Sequence, residues 1–173
     1  FEGCSRVLLR NAVAEAKKEG LSFGFGAEME FYLFETDEEG KATDVPFERA
    51  GYMDMAPDDR GENVRREICL TLDEMGIIPE SSHHDVVTVK TVVKTVAAKN
   101  GLFADFSPKP LSAAPGSGMH VNMSVQSASP DDASALRSAF LAGILAHIRE
   151  ITLFLNPKEC SYDRLGKMKA PKY

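Results

Sequence analysis

A run of strict alternation that begins at Phe23 constrains the fold more than any other feature of the chain. Apolar residues occupy every second position from Phe23 to Leu33, and small or polar residues occupy the positions between them. Successive side chains of a strand face opposite sides, so the run predicts a strand with one apolar face. The other face carries Glu28 and Glu30, two carboxylates about 7 Å apart along the strand.

Four further segments place apolar residues at helical spacing and predict helices. These segments are Ser5–Lys18, Val64–Met75, Val89–Ala97 and Leu136–Ile151. Leu102–Phe106 reads as a strand, and Asp37–Asp58 as a polar loop. From Met119 to Val125 alternation returns, with His120, Asn122 and Ser124 on the polar side. Helices and strands do not alternate regularly, so we predict one α+β domain over 1–173, with helices packed on a mostly antiparallel sheet.

Charge and cysteine usage restrict the function classes. The net charge is −6, which offers no broad basic field for a nucleic-acid backbone. No apolar run approaches membrane-spanning length, so we expect no membrane partner. Cys4, Cys69 and Cys160 are far apart and fit neither a disulfide framework nor a zinc site, which favours a reducing, cytoplasmic setting.

The two strand carboxylates need partners that neutralise them. Basic side chains on a solvated sheet face would do so, and so would divalent cations. His83, His84 and Asp85 follow an extended segment, and His120 lies on the polar side of its strand. Carboxylates with few imidazoles and no thiolates suit Mg²⁺ or Mn²⁺ better than Zn²⁺. The chain has no P-loop and no dinucleotide-binding glycine motif, so any nucleotide is bound in another way.

Six ordered motifs together resemble glutamine synthetases along nearly the whole chain. They are Gly26-Ala27-Glu28-Met29-Glu30-Phe31, the segment from Gly51 to Pro57, the helix from Arg60 to Met75, the stretch from Glu80 to Val86, Lys109-Pro110 with Gly116 to Asn122, and Asn156-Pro157 with Ser161 to Leu165. The resemblance implies the fold of that family's catalytic domain.

The resemblance also implies an activity and a set of partners. The family uses ATP to phosphorylate the side-chain carboxylate of glutamate, and ammonia then displaces phosphate to give glutamine. It works with two Mg²⁺ or Mn²⁺ ions per site, in large rings of identical subunits. The residue roles it implies here are metal ligation by Glu28, Glu30, Asp85 and His120, nucleotide contact by Glu80, Asn122 and Ser124, glutamate contact by Gly116 and Arg164, and a catalytic role for Arg164.

The departures from the family pattern create alternatives. A G-Q-x-E segment with a metal-binding Glu is missing after Val86, and the family's small N-terminal domain and its last metal-binding Glu are also missing. We therefore expect an incomplete catalytic domain that is inactive alone. Asp85 stands where the family usually has Glu, and Lys169 stands where it often has Glu. Pro115 stands where the family often has Asn. A glutamate–polyamine ligase and a non-catalytic binding module are the alternatives.

Overall fold

The computed structural model describes residues 3–48, 59–77, 86–127 and 133–165, apart from the side chains of residues 86 and 87. In chain order the elements are α1 (Ser5–Lys18), β1 (Leu21–Met29), β2 (Tyr32–Thr36), β3 (Ala42–Pro46), α2 (Glu62–Glu74), α3 (Val86–Lys99), β4 (Leu102–Asp105), β5 (Met119–Ser127), α4 (Ala133–Ala146), α5 (Ile148–Leu155) and a 3₁₀ helix (Glu159–Arg164). They form two compact units, Phe1–Gly26 with Val121–Pro157 and Ala27–His120 with Lys158–Tyr173. The single domain expected for 1–173 stays a prediction.

The second unit is built around a three-stranded sheet of order β3-β2-β4. β2 pairs antiparallel with both neighbours, and Tyr32 lies opposite Asp105 at one end of the β2–β4 pair. α2 buries Val64, Ile68 and Leu72, which recur every four residues and so line one side of the helix. They join the apolar side of α3 and the sheet in one core, whose other members include Leu33, Val92, Val93, Val96, Ala97, Leu102 and Ala104.

The first unit contains α1, most of β1 and β5, and the helices α4 and α5. The ring of Phe23 packs against that of Phe140 with centroids 5.2 Å apart, which joins the apolar side of β1 to α4. Neither α1 nor α4 has a fully buried residue. In the described part of the chain no single helix is long and apolar enough to span a membrane, and the bent pair α4 and α5 reaches that threshold only by length and composition when counted together.

Three predicted elements differ from the structure. The single strand expected from Phe23 to Leu33 ends at Met29 and restarts at Tyr32. The chain changes partner there, since the Glu30 N–H donates to the Gly118 carbonyl at 2.9 Å while Tyr32 pairs with β4. The loop expected at Asp37–Asp58 contains β3, which forms by pairing with β2. The long final helix is two helices bent by 73°, because His147 leaves helical geometry at φ −108° and ψ 9°.

Candidate functional site

The carboxylates of Glu28 and Glu30 meet the imidazole of His120 where β1 and β5 lie side by side. Gly24 lies beside Ser124, Gly26 lies beside Asn122, and the Glu30 N–H donates to the Gly118 carbonyl, so the two strands run antiparallel with Glu28 across from His120. His120 Nδ1 lies 3.7 Å from Glu28 Oε2 and 3.9 Å from Glu30 Oε1. All three side chains are exposed, at 62%, 66% and 47%, so solvent and ligands can reach them.

This cluster has the chemistry of a hard-cation site without its closed geometry. Two ligands of one Mg²⁺ at bond lengths of about 2.1 Å can stand at most about 4.2 Å apart, and both measured separations fall below that limit. Among the residues that the structure describes, no group of three or more His, Cys, Asp or Glu side chains is arranged to hold a metal ion. The predicted ligand Asp85 lies outside those residues, as does Glu80. Ligation by Glu28, Glu30 and His120 therefore stays a prediction.

The side chain of Arg164 lies along the glycine-rich loop that contains Gly116 and Gly118. A Cβ added at Gly116 would lie 2.9 Å from Arg164 Cβ, and one at Gly118 would lie 2.9 Å from Arg164 Nη1. The added Cβ at Gly118 would also lie 3.3 Å from Glu30 Oε2. The stem of Arg164 thus passes Gly116, and its guanidinium reaches the side of the loop that faces the carboxylate of Glu30.

Four hydrogen bonds fix the loop that carries Gly116. The Tyr32 hydroxyl donates to the Pro115 carbonyl at 2.8 Å, and Lys109 Nζ donates to the Ala114 carbonyl at 2.6 Å. The Ser117 N–H donates to the Pro108 carbonyl at 3.0 Å, and the Gly118 N–H donates to Glu30 Oε2 at 2.7 Å. Sequence reasoning assigned no role to Tyr32 or Gly118. Only the position of Tyr32 on the polar side of the alternation, two residues after Glu30, gave a signal.

The predicted nucleotide contacts Asn122 and Ser124 belong to the other unit. Ser124 Oγ would lie 2.7 Å from a Cβ added at Gly24, and Asn122 Cβ would lie 3.9 Å from one added at Gly26. Both residues line a groove of about 480 Å³ between β5 and α4, together with Arg137 and Phe140. That volume is in the range of small-molecule sites. Lys169, which stands where the family often has Glu, lies outside the described residues.

The sequence family described as the catalytic domain of glutamine synthetase matches residues 2–88 and 85–173. The chain belongs to the glutamine synthetase family. The glutamine synthetase of Clostridium saccharobutylicum is 41% identical over 195 positions, which cover 95% of this chain and 44% of that protein. The enzyme of Methanosarcina mazei is 38% identical with the same coverage. The chain therefore spans less than half the length of these relatives.

Solved structures agree with the predicted fold class. A structure of GmaS without ligand has a TM-score of 0.74 at 28% identity, over 96% of this chain and 47% of that one. A cryo-EM structure of the Plasmodium falciparum glutamine synthetase has a TM-score of 0.73 over 95% of this chain and 44% of that one, at 22% identity, and shows the fold alone. The α+β prediction, with the catalytic-domain architecture of this family, is confirmed.

The comparisons also locate the internal gap that the motifs indicated. The alignment with the Clostridium enzyme is 195 positions long, whereas the whole chain has 173 residues, so the relative carries residues without a counterpart here. The family matches in two stretches that meet at residues 85–88. This is where the G-Q-x-E segment is missing from the sequence, directly after Val86.

Proposed function

We propose that this chain is part of an enzyme that joins ammonia to glutamate at the expense of ATP. In the first step a glutamate side-chain oxygen attacks the γ-phosphorus of ATP and ADP leaves, which gives γ-glutamyl phosphate. In the second step ammonia attacks the acyl carbon, phosphate leaves with the bonding electron pair, and a proton is lost to give glutamine. The family membership and the arrangement around Arg164 support this reaction.

The single observation that carries the proposal is the position of the Arg164 guanidinium beside the Gly116–Gly118 loop. A planar guanidinium can donate two parallel hydrogen bonds to a carboxylate, and the two glycines let the loop approach the Arg164 side chain closely. Arg164 would bind a carboxylate of glutamate, and Gly116 would contact the same substrate. Arg164 would thereby hold the substrate in place for both steps.

Glu28, Glu30 and His120 would hold the divalent cations, with Asp85 as a further ligand. Mg²⁺ or Mn²⁺ bound there would neutralise charge on the transferred phosphoryl group. Glu80, Asn122 and Ser124 would contact the nucleotide, and the related GmaS has been solved in a complex with ADP. A ring of identical subunits and a cytoplasmic location remain predictions from the family resemblance and the cysteine usage.

The test is a glutamine-forming assay with the complete gene product, ATP, Mg²⁺ and either ammonia or a polyamine. Arg164→Lys should raise the KM for glutamate at least about tenfold and leave the KM for ATP nearly unchanged, because an ammonium group cannot reproduce a bidentate contact. Arg10→Lys, an exposed change on α1, is the control and should alter neither constant. An equal effect of Arg164→Lys on both substrates would refute its role, and turnover only with a polyamine would assign the amine-ligase alternative.

The missing segment after Val86 favours a second candidate, a binding module without catalysis. The chain retains Glu28, Glu30 and His120 but lacks a further carboxylate that the family places in that segment. Mg²⁺ gives up its water reluctantly, so few protein ligands should bind it weakly. Calorimetric titration of the 173-residue chain with Mn²⁺ tests this candidate. We expect weak binding and no glutamine formation, whereas tight two-site binding would show that the chain has a complete metal site.

A further inference from the structure

Two residues of one short segment hold both ends of the loop that contacts Arg164. Tyr32 binds the Pro115 carbonyl through its hydroxyl, and Glu30 exchanges two hydrogen bonds with Gly118 through its N–H and its Oε2. The loop between these hydrogen bonds includes Gly116, which lies next to the aliphatic part of the Arg164 side chain. The conformation of the loop therefore depends on the segment from Glu30 to Tyr32.

The hydrogen bond from Tyr32 to Pro115 cannot be replaced by one from the N–H of Pro115. Proline lacks an N–H, so the carbonyl of Pro115 is the only hydrogen-bonding group of that residue. The hydroxyl that binds it comes from a rigid position, since Tyr32 pairs with Asp105 of β4 and its ring stacks near that of Phe34 at 6.1 Å. A tyrosine phenol is ordinarily protonated at neutral pH and can therefore donate this bond.

The loop tolerates little displacement at the point where it meets Arg164. A single added carbon at Gly116 would lie 2.5 Å from the Pro108 carbonyl oxygen and 2.9 Å from Arg164 Cβ. The gap between the loop and the arginine is thus narrower than a methyl group. If the loop moves when the hydrogen bond from Tyr32 is lost, the guanidinium of Arg164 would change position as well.

We propose that Tyr32 is a positioning residue for glutamate, which acts by fixing the loop Pro115–Gly118 against Arg164. The inference rests on the proposed function, because it assigns glutamate to the site that Arg164 would form. It adds to that function a residue that acts through the Pro115 carbonyl, to which its hydroxyl donates. Tyr32 would influence the binding of one substrate and leave the other unaffected.

The experiment uses Tyr32→Phe, which removes only the hydroxyl. Tyr162→Phe is the matched control in the same unit, because its hydroxyl makes no hydrogen bond within the part of the chain that the structure describes. In the complete gene product, Tyr32→Phe should raise the KM for glutamate roughly three- to tenfold, the equivalent of one hydrogen bond, and change the KM for ATP less than about twofold. Tyr162→Phe should change neither constant.

A second measurement separates this inference from the proposed function. Amide hydrogen exchange of the 173-residue chain should become faster at Ser117 and Gly118 in Tyr32→Phe, and stay unchanged at Ala104 of β4. Unchanged exchange at both loop amides would overturn the inference, as would equal effects on the two KM values. If the wild-type gene product makes no glutamine, the proposed function fails, and the exchange rates alone decide whether Tyr32 holds the loop.

Discussion

The replacement of Gly116 by alanine tests the packing of the candidate substrate loop most directly. The added methyl would meet the Pro108 carbonyl oxygen at 2.5 Å and Arg164 Cβ at 2.9 Å, and both are closer than real Cβ contacts allow. Neither neighbour is the free end of a flexible side chain. Relief requires movement of the Pro108 main chain, which also accepts the Ser117 N–H, or of the 3₁₀ helix that carries Arg164.

The magnitude follows from these two contacts. Overpacking of a well-packed site costs about 1–3 kcal/mol, and the hydrogen bond to Pro108 contributes about 1 kcal/mol if it is lost. We expect Gly116→Ala to lower the free energy of unfolding by about 2–4 kcal/mol. Gly118→Ala should cost less, below about 1.5 kcal/mol, because the neighbour its methyl meets most closely, at 2.9 Å, is the tip of Arg164, which can rotate away.

Urea unfolding of the three alanine variants Gly116→Ala, Gly118→Ala and Gly143→Ala provides the assay. A Cβ at Gly143, within α4, has nothing within 4 Å, so this control should gain up to about 1 kcal/mol from helix propensity. The slope of the free energy against urea should stay constant so that the midpoints report stability. A Gly116→Ala variant as stable as the wild type, or more stable than Gly118→Ala, would refute the packing argument.

Two further predictions concern single side chains in the same unit. Ser117 is 6% exposed, and its Oγ has no hydrogen-bond partner among the described residues. Ser117→Ala should therefore leave the urea midpoint unchanged or raise it. A decrease of more than about 1 kcal/mol in the free energy of unfolding would show that the hydroxyl has a partner. The carboxylate of Glu67 accepts hydrogen bonds from Lys99 Nζ at 2.7 Å and from Asn100 Nδ2 at 2.9 Å. The bond from Lys99, and to a smaller extent that from Asn100, lowers the pKa of this carboxyl. A lowered folded-state pKa stabilises the fold above the ordinary value of 4.5 and loses that effect as the pH falls through the folded-state value. The difference in urea midpoint between wild type and Glu67→Gln should therefore shrink from about pH 7 to about pH 3, and a constant difference would contradict the assignment.

The sequence predicted the helices of the second unit well because their signal is local. Val64, Ile68 and Leu72 of the predicted stripe are buried as expected, whereas its fourth member, Met75, is the C-cap of α2 and is 53% exposed. α3 ends at Lys99 before Gly101, whose φ is 69°. The strand β3 was missed for the opposite reason. Ala42–Pro46 has no apolar alternation and lies at the edge of its sheet, so pairing with β2 defines it rather than its own composition.

The candidate site was predictable to the extent that strand period and motif order determine it. The two-residue repeat of a strand predicted Glu28 and Glu30 on one face, and the structure places both carboxylates near the imidazole of His120. The family resemblance implied glutamate contact for Arg164 and for Gly116 separately, and only the folded chain shows that the two residues are neighbours. The hydrogen bond from Tyr32 to Pro115 joins positions 83 residues apart, and only the folded chain can show it.

The segment from Glu30 to Tyr32 is where the predicted single strand is interrupted, and it also holds the Pro115–Gly118 loop. Alternation continues through Glu30, Phe31 and Tyr32, yet the main chain leaves Gly118 of one sheet and joins Asp105 of the other. This change of partner leaves Glu30 bonded to one end of the Pro115–Gly118 loop and Tyr32 to the other. Local rules tend to fail where a chain builds a functional site. The break in the strand is therefore itself a reason to place the candidate substrate loop at this point of the fold.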